Sequence, residues 1–363
     1  MNDDVLRAAS PHQVASSNLG LLADLPGRWV GTGFNMIARP ARQGLPRRPS
    51  FILEVNATSE TLELTALGGD LPNRGDVEPT VLLHGVRYVQ TVDDYEDHSG
   101  LHVEAGFWLR VPPCGDNAEE TYVRQAAIPH GASLVAQSTR ATRIDGAPTI
   151  DPVDTLPFAS TQPIPALNDV THPTLGPPST DPYGDTPLPA DCVLAGVDAA
   201  RIIRDPTEVL RAHVSGQHII ETVVLSISTS AANGGGIVNT PFVARNANVP
   251  QVDATFWIEK VRRPKAPTRE FLQLQYVQRV ILEFDGVRWP HVSVATLVKT
   301  MLPGSPLYGV ITHNRGRPPC TGRACGLVAG FTFVRGDHPQ SWPTAVYGSR
   351  VRPKRPGAPP PEQ

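Results

Sequence analysis

Histidine offers the clearest chemistry in this sequence, and His291 is the strongest candidate. It opens the segment His291-Val-Ser-Val-Ala-Thr, directly after Trp289-Pro290. Strand alternation would put Ser293 and Ala295 on the same face as the histidine, and such small neighbours leave room for a flat ligand. A neutral imidazole can ligate a metal ion, haem iron included. The alternative is a histidine that serves only the packing of the fold.

Three further histidines lie in or beside predicted strands. His130, in Ile128-Pro-His-Gly, falls at a tight turn where it could overhang the mouth of a barrel. His84 lies inside a strand and is interpreted as a core histidine. His102 lies on the polar face of its strand, where it would form hydrogen bonds at the surface or the rim. Five others lie in polar loops or tails and are interpreted as solvated: His12, His98, His172, His313 and His338.

The sequence lacks the common motifs of other kinds of active site. The sequence contains no G-x-S-x-G elbow, P-loop, G-x-G-x-x-G or H-E-x-x-H. The four cysteines, Cys114, Cys192, Cys320 and Cys325, are too few and too scattered for a disulfide framework. The spacing of Cys320 and Cys325 does not match a zinc site, and no second pair exists. We interpret these two as free thiols, with a local disulfide as the alternative.

Composition and charge exclude several kinds of partner. The formal net charge is -3 and the pI is near 6.4, without the clustered basic surplus that nucleic acids or anionic membranes attract. The N-terminus is acidic and lacks a signal-peptide pattern. No apolar run approaches the roughly 20 residues of a membrane helix. We therefore expect a soluble, cytoplasmic protein with no nucleic-acid or membrane partner.

Strands joined by turns are the elements that must position these histidines. The 38 prolines and 31 glycines argue against long helices. Alternation and β-branched enrichment predict strands at Trp29–Ala38, Phe51–Asn56, Thr61–Leu67, Thr80–Val92, His102–Val111, Thr121–Ala127, Ala132–Ser138, His218–Thr229, Ala254–Val261, Leu272–Phe284 and His291–Lys299. This pattern favours an all-β fold, an antiparallel up-and-down barrel of about ten strands. A barrel of that size can hold one small ligand.

Two of these strands have clearly different faces. In Leu101–Val111 the odd positions are apolar, whereas the even positions include His102, Glu104 and Arg110. In 271–284 the even positions are mostly apolar, whereas the odd positions include Gln273, Gln275, Arg279 and Glu283. Both patterns are typical of a barrel wall around a filled or ligand-holding interior.

The domain boundaries follow from a change in composition. Residues 141–190 contain eleven prolines and few large apolar residues, which predicts an extended insertion over the surface. We assign 1–20 as a disordered N-terminus and 21–302 as the barrel domain, with 141–204 as its Pro-rich insertion. Residues 303–363 form a C-terminal extension and tail. A short helix is predicted at Pro206–Ala212, with Asp205 as its cap.

Four segments, in order, resemble the nitrobindin family of haem-binding barrels, which are related in shape to fatty-acid-binding proteins. They are Gly27-Arg-Trp-Val-Gly-Thr-Gly33, Leu101-His-Val-Glu-Ala-Gly-Phe107, the strand pair ending in Phe284-Asp-Gly286, and the His291 segment. The resemblance covers roughly 20–140 and 205–300. The family's first motif continues with a further glycine and a Tyr-Pro, where this chain has Asn35, Ile37 and Ala38. The contacts of that loop therefore do not transfer.

The resemblance implies ferric haem b with His291 as its proximal axial ligand. His130 is the candidate for the distal side or the rim. The family's chemistry would be nitric-oxide binding and peroxynitrite isomerisation, and a peroxidase-like activity is a further option. Two other hypotheses remain open: a non-haem carrier of an apolar small ligand, similar to fatty-acid-binding proteins, and an interaction protein that docks through its Pro-rich segments.

Overall fold

Alternating strands dominate the chain, as the sequence predicts. The structure is a computed structural model that describes residues 16–41, 51–76, 79–114, 119–170, 183, 199–263 and 266–300. Its strands are β1 (Gly27–Pro40), β2 (Phe51–Ala66), β3 (Leu71–Asn73), β4 (Val81–Asp94), β5 (Gly100–Val111), β6 (Thr121–Ile128), β7 (Ala132–Asp145), β8 (Phe158–Ala159), β9 (His218–Ser228), β10 (Gly236–Asn239), β11 (Asn248–Arg263), β12 (Ala266–Phe284) and β13 (Val287–Thr300). The helices are α1 (Ser16–Leu19), α2 (Ala199–Arg204), α3 (Thr207–Val214) and α4 (Pro241–Asn246).

Ten of these strands close into an antiparallel barrel, which confirms the predicted fold class. Their order around the barrel is β1, β2, β4, β5, β6, β7, β9, β11, β12 and β13, and β13 pairs back onto β1. The closing register places Trp29 opposite Lys299 and Asn35 opposite Ser293. Because each barrel strand is antiparallel to both neighbours, the described chain runs up and down around one lumen.

Strand β2 corrects one detail of the prediction. The sequence pattern divides it into two strands, 51–56 and 61–67, whereas the structure has a single strand from Phe51 to Ala66. The predicted interruption contains Thr58 and Glu60, which alternate along the strand with Asn56 and are buried like it. They face the lumen, so their polarity marks an interior surface and not a break in the strand.

The N-terminal residues plug one end of the barrel. A 3-10 turn at Gly20–Leu22 follows α1, and Leu22 is fully buried. The Leu21 backbone N–H donates to Tyr122 Oη at 2.9 Å, and Trp29 Nε1 donates to the Leu25 carbonyl at 2.9 Å. Lys299 Nζ donates to the Asp24 carbonyl at 2.6 Å. We call this the plugged end; the predicted boundary between residues 20 and 21 falls inside the plug.

The outer surface of the barrel divides into two regions. The outer faces of β9, β11, β12 and β13 lie beneath residues 146–170 and helices α2 and α3, and we call them the covered wall. The outer faces of β4 to β7 leave Val89, Val103, Phe107 and Val135 exposed, and we call them the bare wall.

Part of the Pro-rich insertion is anchored to the covered wall. It does lie over the barrel surface, but Ile150, Val153 and Phe158 are buried within it, which its composition did not predict. Asp205 Oδ1 accepts hydrogen bonds from the backbone N–H groups of Val153 and Thr207, at 3.1 and 3.2 Å. The predicted cap is wrong by one residue, since Pro206 occupies the N-cap of α3; the Asp205 side chain instead ties the insertion to the first residue of that helix.

Some predictions fall on residues that are not described. Cys192, Cys320, Cys325, residues 1–15 and residues 303–363 lie outside the described residues, and Cys114 is a free thiol. Among the described helices, none has the length and apolar character needed to span a membrane.

Candidate binding site at the open end of the barrel

The register of the barrel decides which side chains share the lumen. Ser293 pairs with Asn35 on one side and with Gln278 on the other, so all three face inward together. By the same alternation, the even positions of β2, β4, β5 and β6 also point into the lumen. The polar face of β5 is thus its inner face, and its apolar face lies on the bare wall.

A first hydrogen-bonded group crosses the lumen around Glu60. Tyr276 Oη donates to Glu60 Oε2 at 2.7 Å, and Gln90 Nε2 lies 3.1 Å from both Glu60 Oε2 and Tyr276 Oη. Thr58 Oγ1 donates to Glu60 Oε1 at 2.9 Å. Burial raises the pKa of Glu60 against the opposing effect of these hydrogen bonds.

Gly33 makes room for this group. A Cβ atom at Gly33 would lie 2.7 Å from Thr58 Oγ1 and 2.8 Å from Glu60 Oε1, closer than van der Waals contact permits. A Cβ atom would also lie 2.3 Å from the Val294 carbonyl oxygen, so this glycine leaves room both for the backbone of β13 and for Glu60.

A second group surrounds Glu104. Arg124 Nη2 and Tyr88 Oη both donate to Glu104 Oε1, and Arg124 Nη1 donates to Gln278 Oε1 at 2.7 Å. The guanidinium lies over the rings of Tyr88, Trp108 and Phe256. Burial alone would raise the pKa of Glu104, but the Arg124 charge and the hydrogen bonds of His102 and Tyr88 lower it to about 2.

Together the two groups close the middle of the lumen. Tyr276 and Gln278 extend from β12, while their partners extend from β2, β4 and β6, several strands away around the barrel. We call this set of bonds the polar layer. A ligand as long as the barrel would have to break it, so the space open to a ligand lies on the side of the layer away from the plug.

His291 lies on that side, at the open end. Its Nε2 is 2.7 Å from Asn35 Oδ1, and Ser293 Oγ donates to the same oxygen at 2.9 Å. The residue is only partly buried, although it points inward. Enclosure of the ring, together with the nearby charges of His102 and His130, lowers the pKa of His291 to about 3. The imidazole is therefore neutral at physiological pH and keeps a lone pair.

His102 and His130 complete the open end. Their rings stack with a centroid distance of 5.4 Å, and His102 Nε2 lies 3.5 Å from Glu104 Oε2. His130 is exposed at the β6–β7 turn, where its rim position was predicted. Partial burial and the charge of His102 lower its pKa. Because both rings influence the pKa of His291, the three histidines form one electrostatic group.

A buried amide beside this group has an unused acceptor. Asn56, the register neighbour of Asn35, donates through Nδ2 to Asp94 Oδ2 at 2.9 Å. Its Oδ1 is buried and has no hydrogen-bond partner among the described residues. Burying a carbonyl without a partner is costly, so this atom marks a place where the donor of a bound molecule would be stabilised.

His84 does not join the open end. It lies on β4 opposite Arg110, whose guanidinium donates to the Asn18 carbonyl in the plug, and its Nδ1 is 3.6 Å from Asp70 Oδ1. Among the described residues, no group of three or more His, Cys, Asp or Glu side chains is arranged to hold a metal ion. A haem iron needs only one such ligand, so this result does not bear on it.

Sequence reasoning missed Asn35, Glu60, Arg124 and their partners. Strand alternation predicts that His102 and Glu104 share one face of β5. The same alternation would have placed Asn35 on one face of β1 with Gly31 and Gly33. Only the register between β1 and β13, which the sequence does not encode locally, brings Asn35 to His291.

Comparisons with known proteins add little to this description. No protein-family model matches the chain, and no curated protein matches it. Among solved structures it is similar to the crystal structure of Rv2717c from M. tuberculosis, with 12% identity over 77% of this chain and 98% of that chain. The TM-score is 0.35, a value too low to support any argument about fold or function.

Proposed function

We propose that this barrel binds haem b at its open end, with His291 as the axial ligand of the iron. The observation that carries the proposal is a neutral, partly accessible imidazole on the inner wall, outside the polar layer. The small side chains of Ser293 and Ala295 follow it on the same face. These residues fit a flat ligand that enters from the open end and is ligated by one histidine.

The haem would supply the reactivity toward small nitrogen or oxygen species, and the chain would supply its ligand and surroundings. His102 on β5 and His130 at the β6–β7 turn, across the lumen from β13, would offer hydrogen-bonding groups to the molecule that approaches the haem. Glu104, held ionised by Arg124, would orient His102. Peroxynitrite isomerisation is the reaction suggested by the sequence resemblance, with a peroxidase-like activity as a second option.

A hemin titration tests this function. The wild-type chain should give a Soret band that saturates at one hemin per chain, and His291→Ala should abolish or shift that band. His84→Ala is the matched control, because His84 is also a partly buried strand histidine but lies toward the plugged end. Equal Soret spectra for wild type and His291→Ala, or no hemin uptake by either, would overturn the proposal.

The polar layer also weighs against the carrier hypothesis. A fatty-acid-like ligand needs a long apolar lumen, whereas Glu60, Tyr276 and Arg124 bridge this one at its middle. Displacement of a bound fluorescent fatty acid, with no effect of hemin, would favour the carrier.

A further inference from the structure

Asn35 is the side chain that His291 already contacts through a ring nitrogen. Its Oδ1 accepts from Ser293 Oγ at 2.9 Å and lies 2.7 Å from His291 Nε2. A carbonyl oxygen can only accept, so Nε2 carries the proton and donates it to Asn35. With the amide turned over, its N–H would donate to Nε2 instead. In either orientation, the Nε2 lone pair is unavailable to a metal ion.

The backbone keeps Asn35 in this position. Strand β1 is paired on both sides at this residue, with Ser293 on β13 and with Asn56 on β2. The chain therefore cannot move Asn35 away from His291 without breaking the sheet. Only rotation of the Asn35 side chain, with loss of its bonds to Ser293 and His291, frees the nitrogen.

We propose that Asn35 competes with iron for His291 Nε2 and so sets how tightly the barrel takes up haem. This inference rests on the proposed function, because it assigns a positioning role to a residue that would not itself touch the iron. Binding of the iron to Nε2 would break the hydrogen bond between His291 and Asn35. The loss of one hydrogen bond corresponds to roughly a fivefold weakening of hemin affinity.

Two substitutions separate the hydrogen bond from the space that Asn35 fills. Asn35→Leu keeps a side chain of similar size but cannot bond to Nε2, and Asn35→Ala removes both the bond and the bulk. Both variants should bind hemin about fivefold more tightly than wild type in a Soret titration, since both release one hydrogen bond. Asn56→Ala is the control, because this neighbouring amide bonds to Asp94 and not to His291. Far-ultraviolet circular dichroism confirms that each barrel is folded.

The tautomer of His291 gives a readout that needs no haem. Nitrogen-15 NMR of the apo protein should show one dominant His291 tautomer in wild type: Nε2–H if the Asn35 oxygen faces the ring, and Nδ1–H if its amide nitrogen does. The Asn35→Leu and Asn35→Ala variants should show a shift of population toward the other tautomer, because the hydrogen bond that selects the wild-type form is gone. Ser293→Ala, which leaves Asn35 in place but removes its second bond, should move both readouts in the same direction by a smaller amount.

The outcomes separate the two proposals. If His291→Ala abolishes the Soret band but both Asn35 variants bind hemin as wild type does, the competition is overturned and the function stands. Tighter binding by Asn35→Ala alone would mean that bulk and not the hydrogen bond matters, which also overturns it. If no variant takes up hemin while the tautomer shifts, the function fails and Asn35 is shown only to hold the ring.

Discussion

The covered wall and the bare wall are built from equally regular alternating strands, yet each carries outward residues whose exposure does not follow their polarity. On the covered wall the outward residues Glu259, Gln273 and Gln275 are 0% exposed. On the bare wall Val103 and Phe107 are 46% and 43% exposed. The burial of these polar residues therefore needs its own explanation.

The hydrogen bonds of the covered wall explain how polar residues can be buried there. Gln273 Nε2 donates to Glu259 Oε2 at 2.6 Å, and Gln275 Nε2 donates to Thr296 Oγ1 at 2.7 Å. A buried polar group is tolerated when a partner replaces water. The covered wall therefore depends on specific hydrogen-bonded pairs, whereas exposed side chains of the bare wall such as Val103 and Phe107 need no such partners.

The largest loss of stability is expected for Arg279→Met, on the covered wall. Arg279 is 1% exposed, pairs with Asp253 at 2.8 Å and donates to the carbonyls of Pro165 and Ala166. Removing one partner of a buried pair leaves the other charge without compensation, so unfolding in urea should show a loss of about 3–5 kcal/mol.

The control for that variant is Arg28→Met. Arg28 pairs with Glu63, but their side chains are 52% and 63% exposed, so the expected loss is at most about 1 kcal/mol. If both variants lose equal stability, burial beneath the insertion adds nothing to the Arg279–Asp253 pair, and the covered wall does not depend on it.

A smaller, pH-dependent effect is expected for Glu259→Gln. Burial raises the pKa of Glu259 from its ordinary 4.5 to about 8, against the hydrogen bond from Gln273. Between these values the folded state retains a proton that the unfolded chain has lost, so this residue lowers stability as pH rises. The variant should lack that slope and be more stable than wild type at pH 8, by an amount of the order of 2 kcal/mol.

Urea titrations of wild type and variant at pH 5 and pH 8 measure this difference. Glu63→Gln is the control, because that carboxylate is exposed. If the difference in unfolding free energy between variant and wild type is the same at pH 5 and pH 8, Glu259 ionises normally beneath the cover.

The smallest effect is expected on the bare wall. Phe107→Ser exchanges an exposed ring for a polar side chain, so its free energy of unfolding should change by less than about 0.5 kcal/mol. Thermal unfolding at several protein concentrations measures it. A loss above about 1 kcal/mol, or one that depends on concentration, would show that this wall is buried in solution and would remove the contrast.

Much of the fold could be predicted because alternation is local. The segments around Trp29, Trp108 and His291 each show a two-residue period, and their number indicates a barrel of about ten strands. The prediction failed at Thr58 and Glu60, because polar residues there indicated a break between two strands but in fact line the lumen.

The site was less predictable because it depends on register. His291 could be singled out from its own segment and His130 from its turn. The contact with Asn35 joins residues 256 positions apart, and the bond from Tyr276 to Glu60 joins residues 216 apart. A shift of one residue in a single strand pair would reverse which side chains face the lumen.

The pairing of β1 with β13 also has a consequence for how the chain folds. The first and last barrel strands are neighbours in the closed barrel, and the polar layer joins β12 to β2, β4 and β6, which lie much earlier in the chain. Contacts of such sequence separation carry a large loop-closure cost, so the barrel belongs to the slow-folding topologies. Until β13 is docked, β1 and β12 remain open edges able to pair with another chain. The strand that carries His291 therefore also shields the folding barrel from aggregation.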